Sequence, residues 1–183
     1  MNGRKGTKSR LPLAAVTRIG LISDTHSYMD DRILHHLEGV DEIWHGGDIG
    51  NLEVTDALKE LAPLRGVYGN IDGGDVRREF PLDQRFRLEG LDIWISHIVG
   101  RPGRYYQRAR AILEKGAPDI LVCGHSHICL VERDKKYGLS YMNPGAAGRH
   151  GFHHMRTLLR FTLDRGRIED LEVVELGRRG KEA

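Results

Sequence analysis

Cysteine is scarce in this chain, aromatic residues are few, and long hydrophobic runs are missing. Only Cys123 and Cys129 occur among 183 residues. Two thiols cannot staple a secreted scaffold, so a reduced, cytoplasmic setting is expected. Aromatic side chains make up 7% of the sequence, which leaves the core to aliphatic residues. No apolar stretch approaches the roughly 18 residues of a membrane span. The longest candidate, Leu11–Ile22, is broken by Pro12, Arg18 and Gly20. There is no internal repeat, no low-complexity block and no interdomain linker, and the length suits one ordinary domain. A strong charge of one sign is also missing. The formal net charge is +2, and the basic excess sits at the two ends; between them the chain is mildly acidic. That argues against tracking long nucleic acid.

Two residue types are abundant instead: 23 glycines and 10 histidines. The first points to loops of special backbone geometry, the second to metal chemistry. Residues 1–16 read as a leader, 17–176 as the domain and 177–183 as a charged tail. Thr17–Ser23 reads as a buried strand, Asp31–Leu37 as a helix, and Glu42–Trp44 as a second strand. Asn51–Ala62 is the clearest helix. Val54, Ala57, Leu58 and Leu61 repeat at helical spacing, and Asn51 is the expected N-cap. Leu64–Tyr68 is a third strand. This alternation predicts parallel pairing with crossover helices. The second half differs. Gln84–Glu89 and Leu91–His97 form a hairpin at Gly90, Tyr105–Glu114 a helix, and Ile120–Cys123 a buried strand. Ile128–Glu132 pairs with Leu139–Met142, and Arg156–Leu163 with Ile168–Leu176. The expectation is an α/β fold: a sandwich of two mixed sheets with helices outside.

Polar clusters follow five of these strands: Asp24-x-His26, Gly47-Asp48, Gly69-Asn70-x-Asp72, His97, and Gly124-His125-x-His127. If the backbone stays extended, Asp24 and His26 point one way, and so do His125 and His127. The carboxyl ends of the strands form the binding crevice in open α/β sheets. Such a set of imidazoles, carboxylates and one amide suits two borderline divalent ions better than one closed zinc site. A separate Cys₂His₂ site from Cys123, His125, His127 and Cys129 is the weaker alternative, because Cys123 reads as a small buried strand residue.

The motif string resembles the calcineurin-like metallophosphoesterase superfamily. Asn143-Pro144-Gly145 after the histidine pair is similar to its compact bacterial and archaeal phosphodiesterase branch, which also includes the eukaryotic retromer scaffold subunit. The resemblance runs from about Arg18 to Leu176. It implies a four-layer α/β/β/α sandwich. It implies one metal site of Asp24, His26, Asp48 and His127. A second would use Asp48, Asn70, His97 and His125, with Asp48 bridging. Two divalent ions follow, manganese foremost, with zinc, nickel, iron or magnesium as alternatives. The implied activity is hydrolysis of a small phosphodiester by a metal-bridging hydroxide. A phosphomonoesterase on nucleotides or sugar phosphates and a non-catalytic scaffold are the competing readings. A homodimer is compatible with either.

The sequence departs from the family at three points. Ile71 stands where many members carry a histidine proposed as general acid, His97 is followed by Ile98 rather than glycine, and Ala146 replaces a hydroxyl residue. Leaving-group protonation must then come from water or Asp72, so Asn70 and Asp72 are the candidate catalytic pair. Arg104, Arg149 and His150 are the candidate substrate contacts, with Arg101, Tyr105 and Tyr106 beside Arg104 in a leaving-group wall. His153 has no assigned role.

Overall fold

Side chains alternate between two environments along nearly every central strand, and that alternation builds the layers. A computed structural model describes residues 16–180. The first half contains β1 (Thr17–Ile22), α1 (Asp31–Leu37), β2 (Glu42–His45), α2 (Leu52–Leu61), β3 (Leu64–Gly66) and α3 (Gly74–Glu79). Next come β4 (Asp83–Leu88), β5 (Leu91–Ser96), β6 (Gly100–Arg101), β7 (Arg104–Tyr105) and α4 (Gln107–Lys115). The chain continues with β8 (Ile120–Val122), β9 (Cys129–Asp134), β10 (Leu139–Pro144), β11 (Met155–Asp164) and β12 (Arg167–Arg178). One five-stranded sheet has the order β12-β11-β1-β2-β3 and the other β4-β5-β8-β10-β9. In the first, β1, β2 and β3 are parallel; in the second, β5, β8 and β10 are.

Successive strand residues point to opposite faces, and the core records this directly. Ile19, Leu21, Trp44, Ile93, Ile95 and Met142 meet between the two sheets. Their neighbours Ile22 and Ile43 turn outward onto Ile33 and Leu37 of α1 and Val54 and Leu58 of α2. Trp94, Leu121 and Tyr141 turn out of the second sheet onto Ala109 and Leu113 of α4. The result is the expected four-layer α/β/β/α sandwich. Asn51 caps α2 by accepting from the Val54 amide, as its position predicts.

Three details correct the sequence reading. Tyr105 does not open α4: it lies in the small β6–β7 hairpin and donates its hydroxyl to Asp134 at 2.7 Å. The helix α3 was not expected, because only Val76 of its six residues is buried and no periodic stripe marks it. The domain runs past residue 176. Gly177 and Arg178 continue β12, and Arg179 donates to the carbonyls of His153 and His154. The expected leader, Val16 apart, and tail residues 181–183 lie outside the described residues.

Candidate metal centre

All five polar clusters fall just beyond the carboxyl ends of parallel strands: β1, β2 and β3 of one sheet, β5 and β8 of the other. The two sheets open toward the same edge, so the loops interlock. The Asp24 amide donates to the Gly47 carbonyl and the His26 amide to the Asp48 carbonyl. Asp24 in turn accepts from the His125 amide at 3.1 Å, which ties the first sheet to the second.

The side chains converge as two groups that share one residue. Asp24, His26, Asp48 and His127 form the first, and Asp48, His97 and His125 the second; within each group the ligand atoms lie within 4.8 Å of one another. Asp48 divides its carboxylate between them. Its Oδ1 is 3.2 Å from His97 Nε2, and its Oδ2 is 3.5 Å from His26 Nε2. Asn70 joins the second group through His125, with Oδ1 2.9 Å from His125 Nδ1.

The backbone that delivers these groups is not extended. Asp24, His26, Asp48, His125 and His127 all have φ between 48° and 68°, the left-handed region that costs a non-glycine residue free energy. The expectation that residues two apart would face one way through an extended strand end is therefore corrected. Asp24 and His26 do share a group, but by left-handed turns. His125 and His127 separate, one to each group. Neighbouring glycines leave room for this. A Cβ on Gly69 would run into Asp48 Oδ1, and one on Gly124 would lie 2.6 Å from Asp24 Oδ2.

The residues present fit metal ions. His26 Nε2 and His97 Nε2 are buried and have no hydrogen-bond partner. An orphaned buried nitrogen is costly unless something coordinates it. The tautomers agree. His97 Nδ1 bonds the Gly46 carbonyl at 2.8 Å, so its proton sits there and the Nε2 lone pair faces Asp48. Burial lowers the His26 and His125 imidazoles below their ordinary range, which keeps them neutral as ligands must be. Burial would lower His97 as well, but Asp48 and Asp24 outweigh it and raise the imidazole. Carboxylates that favour a proton at that point also favour a cation.

Three residues behind the ligands hold the arrangement. Asp72, 3% exposed, accepts from the amides of Gly69, Ile49 and Gly50 at 2.7, 3.1 and 2.6 Å. With three amide hydrogens on its carboxylate, it is placed as a staple between the Asp48 and Asn70 loops and not as a proton donor. His45 is fully buried, and that burial lowers its pKa to about 4. Its Nδ1 accepts from the Gly47 amide, leaving Nε2 to donate to Thr25 Oγ1, which donates to the Ile49 carbonyl. Asn143 donates to the Gly124 carbonyl and Ser126 Oγ and thereby fixes the loop of His125 and His127.

His153, which has no role in the sequence reading, backs His127. Its Nε2 donates to the Gly148 carbonyl at 3.1 Å, so its Nδ1 can accept from His127 Nδ1 at 3.3 Å. His127 Nε2 is then free to face Asp24 Oδ1, 3.2 Å away. The only local signal was the density of histidines after Asn143-Pro144-Gly145.

Of the expected substrate contacts, His150 lines the metal cleft, its ring 4.8 Å from that of His26. Arg149 does not line it: its guanidinium lies 4.7 Å over the Tyr28 ring. Arg104 lines a neighbouring cavity instead. The alternative zinc site is not assembled. The Cys123 thiol donates to the Tyr141 hydroxyl at 3.0 Å, burial pushes its pKa up to about 12, and neither cysteine joins a ligand group.

The chain is similar to several known proteins. A curated probable metallophosphoesterase of Methanothermobacter thermautotrophicus is 31% identical over 134 residues, covering 70% of this chain and 76% of that protein. A structurally characterised archaeal phosphodiesterase superposes with a TM-score of 0.66 at 22% identity, over 86% of this chain and 99% of its own. The zinc complex of Vps29 from Entamoeba histolytica gives 0.63 at 19% identity, over 87% and 99%. These two likenesses show the shared fold. The calcineurin-like phosphoesterase superfamily domain matches residues 17–166, the span that carries every candidate ligand described above, and the chain belongs to that family.

Proposed function

We propose that this chain is a two-metal phosphodiesterase. The observation that carries the reading is the divided Asp48 carboxylate, one oxygen toward each ligand group. Asp24, His26, Asp48 and His127 would hold one divalent ion, and Asp48, Asn70, His97 and His125 the other. Such ions supply Lewis acidity and an activated water. The chain's own residues do the rest. Asp72 and His45 hold the loops, and Ile71 and Ile128 form apolar walls of the cleft. His150 offers an imidazole at the cleft wall, where Ile71 has none to give.

The shape around the cleft favours a diester over a monoester. The metal cleft, about 420 Å³, adjoins two further cavities. One shares His125, Ser126 and Ile128 with it, the other Asn70. A phosphate with two esterified arms has a place for each. The likeness to an archaeal phosphodiesterase points the same way.

The test is turnover of bis(p-nitrophenyl) phosphate against p-nitrophenyl phosphate, with manganese and other divalent metals added and bound metal counted. Diester hydrolysis with two ions per chain is expected. Monoester hydrolysis alone would establish the phosphomonoesterase. Two bound ions without turnover of either ester would establish the scaffold.

A further inference from the structure

The cavity beside His125 has a composition that the metal chemistry does not require. It measures about 370 Å³, within the usual range of small-molecule pockets. Val99, Leu130, Tyr106 and Ile128 give it apolar walls, and Arg101 and Arg104 line it as well. Tyr106 and Ile128 are 55% and 65% exposed, although both are large and apolar.

The two arginines are arranged unusually. In the β6–β7 hairpin Arg101 and Arg104 are register partners, directly opposite across Pro102-Gly103. Side chains directly opposite on an antiparallel pair share a face, and like charges there repel. Among the described residues neither guanidinium has a hydrogen bond or an ion pair. Two uncompensated forks thus face one small cavity next to the proposed phosphate site. Guanidinium forks match the oxygens of a phosphate.

We infer that this cavity binds a substrate arm of nucleotide type, with a planar ring between Tyr106 and Ile128 and a second phosphate between Arg101 and Arg104. The inference rests on the reading that the metal cleft takes the scissile phosphate. An aliphatic arm would leave both guanidinium groups against hydrocarbon. A sugar phosphate would leave the walls of Val99, Leu130, Tyr106 and Ile128 wetted. A nucleoside carrying a further phosphate satisfies both.

The experiment is calorimetric titration of the manganese-loaded protein with adenosine 3′,5′-bisphosphate and with adenosine 3′-monophosphate. The bisphosphate should bind about tenfold or more tightly, as expected for added charge-assisted hydrogen bonds. The double variant Arg101→Ala/Arg104→Ala should bind the two ligands equally. Its melting temperature should be unchanged or raised, because the opposed charges are gone. Tyr106→Ala should weaken both ligands alike. Equal affinities in the wild type would overturn the inference, and so would a preference that survives in the double variant. An equal arginine-dependent gain for fructose 1,6-bisphosphate over fructose 6-phosphate would overturn the nucleotide assignment. Absent diester turnover would sink the phosphodiesterase reading alone, and these affinities would still decide the cavity.

Discussion

The two ligand groups draw on the same loops but are enclosed differently. In the first, Asp24 is fully buried, Asp48 nearly so, and His26 and His127 are half-buried. His127 is backed by His153, and Asp24 is held by the His125 amide. In the second, His97 is buried and backed by the Gly46 carbonyl, whereas His125 and Asn70 are exposed and lean on each other. Coordination strength depends on how firmly the surrounding groups fix each ligand. If the chain holds two ions as proposed, the first group should hold its ion firmly and the second should hold an exchangeable one.

The harshest test removes the shared residue. Asp48→Ala should lose both ions and reduce diester turnover to background, whereas Asn70→Ala should keep one ion and lose the other. Metal analysis after gel filtration distinguishes the two. Retention of two ions by Asp48→Ala would break the comparison, because nothing would then be shared.

A smaller effect is expected behind His127. His153→Ala should weaken the first ion about 10–100-fold, the range typical of partners that orient a ligand, and leave the second nearly unchanged. His153→Asn, which keeps a donor and an acceptor, should recover part of the loss. Competition with a chelator reads both affinities, and an effect confined to the second ion would reverse the assignment.

The mildest test concerns the frame of the first group. His45 joins the Thr25 and Gly47 loops and stays neutral in the folded protein, with its pKa lowered by burial to about 4. The unfolded chain takes up that proton near pH 6.5, so the contribution is complete above 6.5 and is lost as pH falls toward 4. The loss amounts to about 3 kcal/mol at most. Urea unfolding of the metal-free protein at pH 7 and pH 5 should show about 2 kcal/mol of it, and His45→Gln should flatten the difference. An unchanged slope in that variant would assign the acid sensitivity elsewhere.

Much of this was legible in the chain, for physical reasons that differ by region. The short apolar runs Thr17–Ser23 and Ile120–Cys123 read as buried strands because a strand covered on both faces is apolar throughout, with Ile19 and Leu21 packing to one side and Ile22 to the other. Asn51 announced α2 by its capping chemistry. The candidate ligands lie in loops that follow strand ends, and the motif string named the six residues that converge, together with Asn70. The partners behind the ligands were hidden because they act across long separations. His153 meets His127 from 26 residues away, and the three amides on Asp72 come from two different loops. Neither relation leaves a periodic trace. The short β6–β7 hairpin was missed for a related reason: two-residue strands carry no alternation to read.

The left-handed backbone at five ligands restricts which residues evolution or design can place there. Aspartate, asparagine and histidine are the non-glycine types that enter this region most readily, and they are also good donors to divalent ions. Glutamate and cysteine coordinate such ions well, but they are not among the types enriched in that conformation. Asp48→Glu or His127→Cys would thus keep a competent donor and still disturb the turn that aims it. The choice of amino acids at this edge of the sandwich is narrower than coordination chemistry alone demands, and a relative that drifts from Asp or His at these positions is expected to drift toward Asn or Gly, losing its metal before its loop shape.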